Sequence, residues 1–97
     1  MNNFFENRII LITGGTGSFG NAMTKELLKM SPKEIRIFSR DEKKQDDMRK
    51  NFKNKKIKFV IGDIRDQKSI EQAVIGVDYI FHAAALKPVS YTHLTLP

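Results

Sequence analysis

Hydrophobic positions fall along this chain in two alternating rhythms. Arg8-Ile9-Ile10-Leu11-Ile12-Thr13 is an almost unbroken apolar run that ends at glycines. Such a run predicts a strand buried on both faces, as in a parallel sheet. From Ser18 to Met30 the apolar residues Met23, Leu27 and Met30 recur at helical spacing, and Ser31-Pro32 stops the helix. Glu34 to Ser39 predicts a second strand, with Ile35, Ile37 and Phe38 as its apolar residues. Asp41 to Phe52 follows as a second helix, with Asp41 at its N-cap and a thin stripe of Met48 and Phe52. Lys56 to Ile61 is a third strand. Asp66 then caps a short third helix that turns Ile70, Ala73 and Val74 inward and ends near Gly76. Val77 to Ala83 is a fourth strand. Strands that alternate with helices across short joints imply a parallel sheet with right-handed crossovers, hence an α/β fold.

Composition changes this picture little. The chain of 97 residues can bury a modest core but not a complete doubly wound sheet with a substrate domain. With 40% hydrophobic and 29% charged residues it reads as globular rather than disordered. No apolar run approaches the ~20 residues of a membrane span, and Met1 to Asn7 lacks the pattern of a secretory signal. The absence of cysteine excludes disulfides and thiolate metal sites and is compatible with a reducing cytoplasm, the expected location. The net charge of +6 is concentrated between Arg40 and Lys58, where nine Lys or Arg stand among four acids and Phe52 is the sole aromatic. Mixed signs without interleaved aromatics predict a solvated helix face rather than a nucleic-acid surface.

Four segments carry candidate chemistry. In Thr13-Gly14-Gly15-Thr16-Gly17-Ser18-Phe19-Gly20, glycines stand at the joint between the first strand and first helix. Gly14 permits a tight turn, Gly17 lets the backbone approach a pyrophosphate, and Gly20 lets the helix pack close to the sheet. The helix end supplies unpaired N–H groups and positive dipole. That context makes the motif a Rossmann-type dinucleotide loop rather than a bare glycine turn, and no Gly-Lys-Ser/Thr follows to make it a P-loop. At the end of the second strand, where an NAD enzyme places an acid for the ribose diol, this chain has Ser39-Arg40 with Asp41 after it. A hydroxyl and a guanidinium suit a ribose phosphate, Lys43 and Lys44 add charge, and NADP is expected over NAD. After the third strand, Asp63 either accepts from an adenine amino group, with Ile64 over the ring, or stands incidentally in a turn before Asp66; the residues leave both open. At the end of the fourth strand, Ala83-Ala84-Ala85 leaves room for a cofactor, and Lys87 stands at the mouth of that space. His82 has no partner carboxylate in the pattern and is read as structural.

Together these segments resemble the extended short-chain dehydrogenase/reductases. Thr13 to Gly20, Ile37 to Asp47, Ile61 to Asp66 and Val77 to Lys87 are similar to the bacterial UDP-N-acetylglucosamine 4,6-dehydratases, nearest the inverting type that also epimerises carbon five in capsule, O-antigen or flagellar-glycan synthesis. The resemblance implies an NADP-dependent lyase that takes hydride from carbon four of a UDP-sugar, loses water across carbons five and six and returns hydride to carbon six. It implies that Gly14, Thr16, Gly17, Ser18, Phe19, Gly20, Ser39, Arg40, Asp41, Lys43, Lys44, Asp63, Ile64, Ala83 and Lys87 line the cofactor, that Lys87 also touches substrate, and that the parent is a homo-oligomer. No residue here matches the family's catalytic Asp-Lys pair or its Tyr-x-x-x-Lys motif. Tyr91 is not that tyrosine, because no lysine follows it. A nucleotide-sugar epimerase or reductase, or a non-catalytic NADP-sensing regulator, would share this half of the fold.

Pro88 to Pro97 departs from the family pattern. The string matches the one-frame translation of a transposase-based sequencing adapter. The expectation is therefore a partial cofactor domain over residues 1–87 and a non-native tail over 88–97, with the fragment inactive by itself.

Overall fold

The computed structural model describes residues 4–83. Its elements run β1 (Ile9–Thr13), α1 (Ser18–Leu28), β2 (Glu34–Ser39), α2 (Glu42–Phe52), β3 (Ile57–Ile61), α3 (Gln67–Ala73) and β4 (Tyr79–His82). All strand pairs are parallel, in the order β3-β2-β1-β4. The chain therefore runs outward from β1 to β3 and then crosses back to the other side of β1. The expected α/β sheet and the sequence of its elements are thus present.

β1 is central because it is apolar on both faces. Ile10, Leu11 and Ile12 have no exposed surface. Ile10 and Ile12 face α1 and α2 and join Leu27, Ile35, Ile37, Met48 and Ile57 in one core. Leu11 faces the other way, with Phe38 and Ala73, in a second core that Ile70, Val74 and Val77 flank. Each such side chain withdrawn from water contributes about 1.5–3 kcal/mol.

Helix ends follow local chemistry. α1 stops at Leu28, two residues before the predicted Met30, because Ser31 turns to φ 53° ahead of the buried Pro32. Asp41 and Asp66 cap α2 and α3 as predicted, accepting from the Lys44 and Lys68 N–H groups at 3.0 and 3.1 Å. Gly76 takes φ 77° just beyond α3. β4 is shorter than the predicted run from Val77 to Ala83. Val77 and Asp78 form its approach: the Asp78 carboxylate accepts from the Ile9 N–H at 2.9 Å, and its own N–H donates to Ile9 O at 2.8 Å. Among the described residues β4 lies at the edge of the sheet, and its Tyr79 and Ile80 are partly exposed. Among the described residues, no helix is long and apolar enough to cross a membrane.

Two polar side chains hold the layers in place. Arg36 on β2 donates to the carbonyls of Ala73 and Ile75 at 2.7 and 2.9 Å, closing the C-terminal end of α3, while Glu34 accepts from its Nε at 2.7 Å. Gln45 on α2 is buried, although the surrounding charges had marked this helix as a solvated face. Its Nε2 donates to Val60 O at 2.9 Å and to Ser39 Oγ at 3.0 Å, pinning α2 to the ends of β2 and β3. Replacing Gln45 by Leu would keep an apolar contact but leave those acceptors unpaired. Denaturant unfolding should show a loss of about 1–3 kcal/mol; an unchanged midpoint would mean that water satisfies both acceptors.

Candidate functional site

The parallel register brings the carboxyl ends of β1, β2 and β4 to one edge. Thr13 lies opposite Phe38 on one side and His82 on the other. The loops that leave this edge enclose a cleft of about 930 Å³, lined by the glycine loop, by Ser39, Arg40, Asp41, Glu42 and Lys44, and by Ala83. An adjoining space of about 410 Å³ shares Gly14, Ser39 and Arg40 and continues past Gly62, Asp63, Ile64 and Arg65.

The loop geometry follows from two glycines. Gly14 takes φ 65°, a conformation that residues with a Cβ rarely adopt, and its N–H donates to Phe38 O at 2.8 Å. Gly20 is needed for closeness: an added Cβ would overlap the backbone of Gly15. The sequence reading had assigned that closeness to the sheet, whereas helix α1 crosses its own loop. Gly17, the N-cap of α1, has open space where a Cβ would stand. Unlike α2 and α3, α1 has no side chain bonded across its N-terminus, and its first turn carries no acid. Its orphan N–H groups and positive dipole end therefore face the cleft, as an anionic diphosphate requires. Asn21 holds the loop by donating from Nδ2 to Thr16 O and Gly17 O at 3.1 and 2.9 Å.

Of the predicted cofactor residues, Gly14, Thr16, Gly17, Ser18, Phe19, Gly20, Ser39, Arg40, Asp41, Lys44 and Ala83 line the larger cleft. Asp63 and Ile64 line the smaller one, and Ile64 offers it an apolar side chain that is 51% exposed. Lys43 lines neither; one residue round the helix from Lys44, it points outward and pairs with Asp47 at 3.7 Å. Lys87 lies outside the described residues. Sequence reasoning missed Glu42, Gln45, Asn21 and Arg65. Gln45 was detectable from its spacing, since it precedes Met48 and Phe52 by three and seven positions on one helix face. Gln45 also fixes Ser39: its amide donates to the Ser39 hydroxyl oxygen, which leaves the hydroxyl proton to donate elsewhere.

Asp63 stands in a turn that also borders the smaller cleft. Its Oδ1 accepts from the Arg65 N–H at 2.9 Å, which makes a turn, while its side chain stands on the cleft wall. Arg65 also donates from Nε and Nη2 at 3.2 and 2.9 Å, and Arg40 Nη1 lies 3.6 Å from Oδ2. The hydrogen bonds from Arg65, side chain first and then backbone, lower the Asp63 carboxyl from 3.8 to about 2. His82 Nδ1 meets the Thr13 hydroxyl at 2.7 Å across the strand pair.

A parallel sheet with a glycine loop and an open helix end at its carboxyl edge defines the class: a Rossmann-like α/β fold. The chain belongs to the polysaccharide biosynthesis protein family, whose model matches residues 10–95. It is 61% identical over 89 residues to the UDP-glucose 4-epimerase of Rickettsia akari, across 88% of this chain and 26% of that protein. The structure of Pen from Bacillus thuringiensis superposes with a TM-score of 0.81 at 41% identity, over 89% of this chain and 26% of Pen. WbmF of Bordetella bronchiseptica, crystallised with NAD+ and UDP, shares the fold with a TM-score of 0.66 at 19% identity, over 84% of this chain and 24% of WbmF. The chain thus spans about a quarter of the length of the relatives it matches.

The folded carboxyl of Asp63 titrates below its ordinary value of 3.8, so its ion pair stabilises fully above pH 3.8 and is lost as pH falls through about 2. Carboxyl 13C NMR should give a midpoint near 2 for Asp63 that rises toward 3.8 in Arg65→Ala. A midpoint that does not move would show that Arg65 does not hold the charge.

Proposed function

We propose that this chain is the NADP-binding part of a cytoplasmic UDP-sugar enzyme, a UDP-N-acetylglucosamine 4,6-dehydratase. The reading rests on one observation: the open N-terminus of α1 and the Ser39-Arg40 pair border the same cleft. The free N–H groups of the glycine loop hold the diphosphate. Arg40 and the Ser39 hydroxyl hold the ribose phosphate where an NAD enzyme would present a carboxylate. Asp63 and Ile64 flank the adenine, and the small Ala83 leaves the passage toward the sugar open. Lys87, which lies outside the described residues, is assigned a substrate contact by family resemblance alone. When bound, NADP supplies a hydride acceptor and donor; the chain's own residues orient it.

Epimerisation at carbon four is the second reading, favoured by the 61% identity to the Rickettsia akari protein. Both reactions begin with oxidation at that carbon and differ in whether water then leaves. The full-length protein that carries these residues should convert UDP-N-acetylglucosamine to a 4-keto-6-deoxy sugar without net change in NADPH absorbance. A product that keeps its carbon-six hydroxyl would establish the epimerase, and stoichiometric NADPH would establish a dehydrogenase.

Cofactor preference is tested separately. Arg40→Ala should weaken NADP binding by about 1.5–3 kcal/mol, the range for a hydrogen bond to a charged group, and barely affect NAD. Equal losses for the two cofactors in calorimetric titration would remove Arg40 from the phosphate site.

A further inference from the structure

The charges around the smaller cleft are unevenly matched. Asp63 is held from two directions, but not with equal strength. Arg65 grips it through three hydrogen bonds of 2.9 to 3.2 Å, with Nε on one carboxylate oxygen and Nη2 on the other. Arg40, arriving from the end of β2, stands 3.6 Å away, an ion-pair distance beyond hydrogen-bond range, and its side chain remains 67% exposed. The Arg65 grip is local: the two residues are two positions apart, and the turn that joins them supplies one of the three bonds. A carboxylate that already accepts a fork of guanidinium N–H groups attracts a second guanidinium less strongly.

The geometry points to Arg65 as a residue that sets cofactor preference: by holding Asp63, it keeps Arg40 uncommitted for a phosphate on the ribose. Without Arg65, Asp63 would either draw Arg40 into a direct pair or keep its negative charge uncompensated beside the incoming phosphate. Both consequences act against the phosphorylated cofactor and leave the unphosphorylated one nearly untouched. Arg65 thus acts through Asp63 and Arg40 as a positioning residue and does not itself contact the phosphate. The inference rests on the reading of the cleft as an NADP site and names a device within it.

The test is fluorescence titration of NADPH and NADH, separately, on the full-length protein and its variants. Arg65 is 75% exposed at its side chain, so its replacement should leave folding intact. Arg65→Ala should weaken NADPH about ten- to a hundred-fold, the loss expected when one charge-assisted hydrogen bond is withdrawn, and NADH about threefold or less. The double variant Asp63→Asn with Arg65→Ala removes the competing charge and should restore most of the ratio of NADPH to NADH affinity, the altered adenine contact weakening both cofactors alike. Failure of the double variant to recover would mean that Arg65 touches the phosphate itself, and equal losses for both cofactors in Arg65→Ala would mean that it only supports the fold; either result overturns the inference. If the unsubstituted protein shows no preference for NADPH, the cofactor reading beneath the inference falls. If that preference persists unchanged in Arg65→Ala, the cofactor reading stands and the inference alone falls.

Discussion

Helix α1 reaches the cleft at a usable angle only because Gly20 carries no side chain where it crosses Gly15. A Cβ there would displace the helix from the loop, and with it the N–H groups that point toward the carboxyl edge of the sheet. The loop in turn depends on Gly14, whose positive φ lets the chain leave β1 while its N–H stays bonded to β2. The close approach of helix to loop therefore fixes the anion-facing end of α1, and the parallel register of β1 with β2 and β4 delivers the remaining side chains to the same edge. The buried β1 makes this stable, since residues alternating along one strand anchor both cores.

The electrostatic character of the cleft comes from how its acids are used. Asp41 is engaged as the cap of α2, and Asp63 is bound by Arg65. Arg40 and Lys44 stand on the same wall as the open end of α1. On the cleft wall Arg40 and Lys44 thus stand against Asp41, whose carboxylate is engaged by a backbone N–H, and Glu42. The contrast between the helices sharpens this: α2 and α3 close their N-termini with aspartates, whereas α1 keeps its end open toward the cleft.

The outer layers are tied to the sheet by long polar side chains. Arg36 joins β2 to the end of α3, and Gln45 joins α2 to the ends of β2 and β3. Gln45 links stability to the site, because the oxygen it holds belongs to Ser39 on the cleft wall. Asp78 plays a comparable part at the start of β4, bonding to both backbone groups of Ile9 and so setting where β4 joins β1.

The order and type of elements, the caps Asp41 and Asp66, and the glycine loop could all be read along the chain. Apolar periodicity, capping and the demand for φ > 0 act over a few consecutive residues. Most of the cleft wall followed from the same local signals, because loops at the carboxyl ends of parallel strands converge. Tertiary structure alone decided that Gly20 meets Gly15 rather than the sheet, that Lys44 and not Lys43 borders the cleft, that Gln45 is buried among charges, and that Arg36 closes a helix 37 residues away. It also decided that Asp63, bound by its neighbour Arg65, has Arg40 from another loop within ion-pair distance. These contacts join groups distant in sequence, and a one-dimensional pattern of polarity records which residues are polar but not which partners the packed layers bring within hydrogen-bond reach.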